Sequence, residues 1–466
     1  MVKGKGTSKP YVKFLGAAST GVTQSCHLVR FNKYAILLDC GIYQEGDIAT
    51  NYKKNRELLK KIKAREIDYI ICEESHADHS ALIPALYAQG CQAHLIVPSG
   101  STPFLRVLWE DSMKIMIQDC QKLNNKHNIK VAPLYGQNDI EIALDRCVEI
   151  EPLEQYDLTQ DMILTFYPAN HIIHACQVSL KMFSGYQTKV LNFTGDIGGE
   201  LSQSYVEPRV NLPKCNVLIA ENTYNQPKRI NKSYDRQKDR EKIASILNEY
   251  KRVLFPVFAL GRCQTILIEL YKLWKSNKIP DDIKIYVDSP MAEKMCHLYP
   301  SKGIWDSIMN EWPNLKFIGE YTESVALQQS NEPICVLSSA GMITGGRCVG
   351  WAKAMIPDSK AHIVFCGYSS ENSIASQIRY GAKEILIDGE LVNNRCNITE
   401  LVSFSSHASY EELMDYYNRL QYDKIALVHG NMEYKPHFSQ ALQQSLINQG
   451  KSARVICTNA DTKIYI

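Results

Sequence analysis

Apolar residues recur along this chain in two rhythms that alternate. Short runs rich in Val, Ile, Leu and Tyr, set between turn residues, predict strands over residues 11–15, 35–38 and 69–72. Apolar spacings of three and four predict helices over 55–64 and 81–89, and a longer one over 105–123. Strand-type runs return at 162–167, 177–182, 190–193 and 217–220. The middle of the chain then changes character. A helix over 236–250 leads into a strand over 253–258 and a helix over 263–275, with further strands at 283–287, 334–338, 363–365 and 384–387. Repeated strand–helix units of this kind predict a parallel or mixed α/β sheet. The tail returns to the first style, with helices over 410–420 and 436–448 and strands over 424–428 and 454–457. No internal repeat or low-complexity stretch interrupts the pattern.

Composition narrows the class. At 466 residues the chain has length for two or three domains. Hydrophobic content of 45% and aromatic content of 9% exclude a disordered chain. The 52 basic and 50 acidic side chains leave a net charge of +2, so any hold on nucleic acid must come from a local patch. No apolar run has the length of a membrane span, which predicts no membrane contact. Residues 1–10 are rich in Lys and Gly and lack the apolar core of a signal peptide. The 15 cysteines, with no C-x-x-C pair, therefore read as reduced thiols of a cytoplasmic protein.

Candidate chemistry gathers where strands end. The apolar run 67–72 stops in Glu74-Ser75-His76-Ala77-Asp78-His79. Asp39, His171, Asp196 and His429 each follow another strand-type run, and His407 lies in Phe404-Ser405-Ser406-His407-Ala408-Ser409. Taken singly, each has a plain reading. Asp39 before Gly41 is a turn residue, the histidines are core or surface residues, and Asp78 with His79 caps the helix that follows. Taken together, in order and each past a strand, they point to one shared pocket. Imidazole with carboxylate suits zinc, and a carboxylate can bridge two ions. Two ions about 3.5–4 Å apart can hold a hydroxide and stabilise both the attacking and the leaving oxygens of a phosphoryl transfer. A separate histidine can then protonate the leaving group.

These residues resemble the motifs of the β-CASP branch of the metallo-β-lactamase fold, a family of RNA-processing nucleases. Asp39 matches its first motif, 74–79 the second, His171 the third and Asp196 the fourth. Glu221, in Ala220-Glu221-Asn222-Thr223-Tyr224, matches the acidic first motif of the inserted domain, and His407 and His429 match two later histidine motifs. Residues 256–262 and 341–347 are also family phrases. The resemblance implies an α/β protein: a metallo-β-lactamase αββα sandwich from residues 1–208 and 388–466, with a β-CASP domain over 209–387 inserted, and the active site in the cleft between them. It implies two zinc ions. One would take Glu74, His76 and His171; the other would take Asp78, His79 and His429; Asp196 would bridge. Asp78 would orient or deprotonate the attacking water, His407 paired with Glu221 would act as general acid, and Asp39 would orient ligand histidines. The expected activity is a metal-dependent ribonuclease, endonucleolytic with 5′-to-3′ exonuclease action as a second mode. A histidine at 429 favours RNA over DNA.

Two departures qualify the match. The family form of the second motif is H-x-H-x-D-H, and Glu74 stands in place of its first histidine. Glutamate ligates zinc through oxygen and adds negative charge, which makes manganese the alternative ion and a single ion the alternative count. The competing reading is a catalytically impaired RNA-binding or scaffold subunit. The third motif departs as well: His171 is followed by Ile172-Ile173-His174, with His174 expected to pack beside the site. For RNA, Gly261 with Arg262 and Gly345-Gly346-Arg347 are the candidate phosphate contacts, through backbone N–H groups and the Arg347 fork. The basic stretch 228–242 reads as either a backbone guide or a solvated helix face, because acids are interleaved. The expected partners are RNA and either a second copy of the chain or an RNA-processing protein.

Overall fold

Strand-forming runs assemble into two seven-stranded sheets that share one core. The computed structural model describes residues 9–127, 130–199, 206–226, 235–367, 369 and 373–466. Two compact units are present, one from residues 1–230 with 407–466 and the other from 231–406.

In the first unit, one sheet runs in the order Lys463–Tyr465, Tyr11–Phe14, His27–Phe31, Tyr34–Leu38, Tyr69–Ile71, His94–Pro98, Cys147–Ile150. Its pairings are antiparallel up to Tyr34–Leu38 and parallel beyond it. The other sheet runs Arg454–Cys457, Tyr422–Val428, Cys215–Glu221, Gln187–Phe193, Cys176–Ser184, Met162–Pro168, Gln155–Thr159. Alternate residues of each strand point inward. Val29, Phe31, Ile36 and Leu38 from one sheet meet Phe166, Leu180, Phe193, Val217 and Ile219 from the other. Each such side chain contributes about 1.5–3 kcal/mol by leaving water. Helices follow the strands of both sheets, Ile48–Lys61 and Thr102–His127 on one, Tyr410–Arg419 and Lys435–Asn448 on the other, which completes an αββα sandwich.

The second unit carries a six-stranded parallel sheet, in the order Leu315–Phe317, Lys284–Asp288, Ile334–Ser338, Arg252–Pro256, Ala361–Phe365, Asn397–Glu400. Its three central strands are buried at every position, as expected where helices cover both faces. The run predicted as a strand at 384–387 forms no part of this sheet. It pairs antiparallel with Glu390–Asn393, and its alternating burial marks a ribbon with one wet face.

Helix ends differ from the apolar spacing for local reasons. The helix predicted over 55–64 is Ile48–Lys61, because Asp47 accepts the Thr50 N–H at 2.7 Å and starts it about two turns earlier. The helix predicted over 81–89 is Ile83–Ala88, with Pro84 in its first turn, and a separate short helix Ala77–Ser80 precedes it. Among the described residues no helix is long and apolar enough to cross a membrane. All 15 cysteines are free thiols.

Candidate metal centre

The site is built where parallel strands of both sheets end. Tyr34–Leu38 runs into Asp39, Tyr69–Ile71 into residues 73–79, Gln187–Phe193 into Asp196, Cys215–Glu221 into Glu221 itself, and Tyr422–Val428 into His429. Asp39 and His429 are held in the left-handed region, with φ of 61° and 52°. Such backbones cost energy and persist where surrounding contacts fix them. The contacts are visible here. The Cys40 N–H donates to His79 O at 2.9 Å and the Ile42 N–H to Ala77 O at 3.0 Å. Gly41 lies so close to this short helix that a Cβ would fall 1.6 Å from Asp78 O. At His429 the backbone N–H donates to Ala18 O at 2.6 Å.

Two ligand groups result. One ligand atom each from Glu74, His76 and His171 lie within 4.8 Å of one another, and so do those from Asp78, His79, Asp196 and His429. Asp196 links the groups: its Oδ2 is 3.5 Å from His79 Nε2 and 3.8 Å from His171 Nε2. Glu74 faces inward, with Oε1 3.4 Å from His79 Nε2 and Oε2 3.7 Å from His171 Nε2. Three buried ligand atoms, Glu74 Oε2, His79 Nε2 and Asp196 Oδ1, have no hydrogen-bond partner among the described residues. Buried polar atoms are rarely left so. Lone pairs of carboxylate and imidazole converging on common points fit divalent cations.

The electrostatics describe the same appetite for positive charge. Burial disfavours the imidazolium of His79, yet Glu73, Asp196 and Glu74 together raise its pKa well above the ordinary value. His76 and His429 are also raised against burial, by Glu74 and by Asp196. Burial pushes Asp78 up, but His429 and His79 outweigh it and bring the carboxyl down to about 2. Asp196 falls well below the usual carboxylate range for a like reason, against burial, through His429, His79 and His407.

His407 stands beside the ligands. Its Nδ1 is 3.4 Å from Glu221 Oε1 and 3.9 Å from Asp196 Oδ2. Burial lowers its pKa, and Glu221 and Asp196 more than reverse that, to about 10. Glu221 is itself fixed, since its Oε1 accepts the Ile197 N–H at 2.7 Å and its Oε2 the Thr223 N–H at 3.1 Å.

Behind His79 sits a residue that sequence reasoning missed. Glu73 is 1% exposed, and its Oε1 lies 2.7 Å from His79 Nδ1. Asp39 Oδ2 is 3.0 Å from the same nitrogen and accepts the Ser25 hydroxyl at 2.7 Å. Burial, and then the charge of Asp39, raise the Glu73 pKa well above normal. Consecutive carboxylates thus face opposite nitrogens of one imidazole. The signal in the sequence was the Glu73-Glu74 pair directly after an apolar strand.

The other predicted residues are placed elsewhere. His174 packs against Gly100 and, at 5.6 Å between ring centres, against Phe104. Gly261 and Gly346, with φ of 85° and 68°, precede the helices Arg262–Lys275 and Arg347–Met355 of the second unit. Gly345 is half-buried beside Gly346. Arg262 is buried, with Nη2 3.4 Å from Ser406 Oγ. The Arg347 fork is already spent, on Asp288 Oδ1 and Ile318 O at 2.7 Å each and on Gly319 O at 2.6 Å. Of the basic stretch, 228–234 lies outside the described residues. In the rest, Lys238 pairs with Asp235, Arg240 with Glu269 and Lys242 with Asp239, which is the pattern of a charge-balanced helix face.

Facing sheets with a cation-seeking cluster at their strand ends, plus a parallel α/β unit carried within the chain, define a metallo-β-lactamase-type protein with an inserted domain. Residues 263–378 match the Beta-Casp domain, and residues 392–451 match the Zn-dependent metallo-hydrolase RNA specificity domain. The chain is similar to ribonuclease TTHA0252 of Thermus thermophilus, 28% identical over 89% of this chain and 92% of that one. It is 25% identical to an RNase J-like protein of Methanocaldococcus jannaschii, over 93% of this chain and 96% of the other. It is 27% identical to the transcription termination factor FttA of Methanothermobacter thermautotrophicus over 88% of its own length, but spans only 65% of that protein. A crystal structure of a protein of unknown function from Enterococcus faecalis shares the fold, with a TM-score of 0.55 at 12% identity over 98% of this chain and 100% of the other. The chain carries both of these domains and is similar along most of its length to β-CASP proteins of the metallo-β-lactamase fold.

Proposed function

We propose that this chain is a metal-dependent ribonuclease that hydrolyses phosphodiester bonds within RNA, with 5′-to-3′ digestion as a second mode. One observation carries the reading: two ligand groups lie side by side, Asp196 Oδ2 of one standing 3.8 Å from His171 Nε2 of the other, and the His407–Glu221 pair stands at their edge. The similarity to two proteins named as ribonucleases supports RNA as the polymer.

Glu74, His76 and His171 would hold one ion, Asp78, His79 and His429 the other, and Asp196 both. Zinc, or manganese as a harder ion suited to the extra carboxylate, would supply Lewis acidity to the phosphoryl group and the attacking water. Asp78 is ionised at neutral pH and faces His429 Nε2 at 3.3 Å, so it can orient that water and accept its proton. His407, charged and held by Glu221, donates a proton to the leaving oxygen. Asp39 and Glu73 hold His79 by its far nitrogen, which fixes the ring and leaves Nε2 for the ion. In the other unit, backbone N–H groups at Gly261, Gly345 and Gly346 would position phosphates, while the Arg262 N–H is already given to Leu260 O and Arg347 anchors its loop through Asp288. The free thiols suit a reducing, cytoplasmic setting. A second copy or an RNA-processing protein would supply targeting.

Elemental analysis beside a cleavage assay tests the proposal. About two ions per chain and cleavage of RNA in preference to a chromogenic ester are expected. A purified protein that binds no divalent ion and leaves RNA intact would instead be a scaffold.

A further inference from the structure

We propose that a basic groove on the unit formed by residues 1–230 and 407–466, built from none of the metal-centre residues, binds the phosphate backbone of single-stranded RNA. The groove has a volume of about 500 Å³. One wall is a stripe of the helix Ile48–Lys61, where Tyr52, Arg56, Leu59 and Lys60 fall on one face at spacings of four, three and one. The other wall is residues 130–134, including Lys130. That wall is fixed in place. Tyr52 donates its hydroxyl to Ala132 O at 3.0 Å, and Asn124 bonds both the N–H and the carbonyl of Val131, at 2.7 and 2.9 Å.

The charge in the groove is what calls for a ligand. Arg56, Lys60 and Lys130 are exposed, and among the described residues no acidic side chain lines the groove. None of the three has an ion-pair partner among the described residues. Their neighbours behave differently: Lys61 pairs with Asp461 at 3.2 Å and Lys63 with Glu66 at 3.1 Å. On a chain whose net charge is only +2, three uncompensated cations around one groove form a local field of one sign.

The shape separates a strand from a small anion. Arg56 and Lys60 stand one helical turn apart, about 5–6 Å between Cβ atoms, and Lys130 faces them from the opposite wall. Leu59, Pro133 and Leu134 add apolar lining to the groove, and Tyr52 adds an aromatic side chain. Cations beside apolar and aromatic lining suit a strand's phosphates together with a ribose or base. Arginine adds a planar fork that matches a phosphate.

The test is binding, which keeps it separate from cleavage. Anisotropy of a short labelled single-stranded RNA is measured on the full chain carrying Asp78→Asn, which prevents digestion. The variant Arg56→Ala/Lys60→Ala/Lys130→Ala is compared with a charge-matched control, Lys33→Ala/Lys278→Ala/Lys383→Ala, at exposed positions elsewhere. The groove variant should raise Kd about tenfold or more and lower the slope of log Kd against log salt by roughly two, at about 0.7 per lost phosphate contact. Its melting temperature should hold, because the side chains are exposed. Lys60→Glu alone provides a second variant, expected to weaken binding more than Lys60→Ala. Equal weakening in groove variant and control, or in neither, overturns the proposal. So does complete displacement of the RNA by millimolar inorganic phosphate, which would mean a site for a single anion.

Discussion

Replacing Glu221 with Gln should move the alkaline limb of the pH–rate profile while leaving the fold in place. The imidazolium of His407 is favoured by a rise in pKa from 6.5 to about 10, worth about 5 kcal/mol at 1.36 kcal/mol per unit. Two carboxylates supply it against the cost of burial, Glu221 at 3.4 Å and Asp196 at 3.9 Å. The carboxylates together supply more than this net, since burial subtracts from it, and Glu221 is the larger of the two, so losing its charge removes at least about 2.5 kcal/mol and lowers the limb by about two pH units or more. Cations held by Asp196 would withdraw its share and leave Glu221 as the main support, so the same direction is expected in the loaded enzyme. Gln keeps an oxygen for the Ile197 N–H, which limits the change to charge. The assay is kcat/KM on an RNA oligonucleotide against pH, with His407→Ala beside it. That variant should lose about 10²–10⁴ in rate and show no such limb. A profile in Glu221→Gln that superimposes on the parent's would refute the pairing. Stability carries the same sign. His407 is raised above its unfolded value, so its contribution is complete below pH 6.5 and is lost as pH rises toward 10. The stability deficit of Glu221→Gln should therefore be largest in acid and fade in alkali.

Asp78→Asn should abolish RNA cleavage with an unchanged far-UV spectrum; activity within a fewfold of the parent would mean that another group handles the attacking water. Glu74→His should preserve or raise bound metal, and Glu74→Ala should reduce it toward one ion per chain; a fall in Glu74→His, read by elemental analysis, would show that the carboxylate is not standing in for a ligand. Glu73→Gln should match or exceed the parent's thermal stability, because burial and Asp39 hold the Glu73 pKa high and folding then costs more as pH rises above the ordinary carboxylate value; melting temperatures that diverge in the opposite direction with pH would contradict this. Adding zinc after chelation should raise the melting temperature as RT ln(1 + [L]/Kd) predicts, and no shift at high zinc would exclude a folded cation site.

Several candidate site residues stood out in the sequence because chemistry and position coincided. A carboxylate or imidazole just past an apolar strand is readable from one sequence, and Asp39, Asp78, Asp196 and His429 all carry that mark. Glu73 was hidden by its neighbour. A strand end with two acids in a row gives no hint of which one meets the ions and which one braces a histidine. Arg347 misled in the other direction. Glycines before an arginine look like a phosphate loop, and nothing local announces that Asp288, 59 residues earlier, occupies the guanidinium.

The same division runs through the fold. Local pattern determined which segments become strands and helices, because apolar periodicity and capping act over a few residues. The sandwich and the parallel six-stranded sheet required pairings between segments far apart in the chain, whereas the side ribbon Glu384–Ile387 is closed locally with Glu390–Asn393. Tertiary structure alone decided that Glu221 and His407, separated by 186 positions, would meet at 3.4 Å. It alone closed a groove between one helix and the segment 130–134, leaving three cations unpaired. Contacts of that kind depend on loop closure and on which faces are buried together, and a sequence read by its neighbours carries neither.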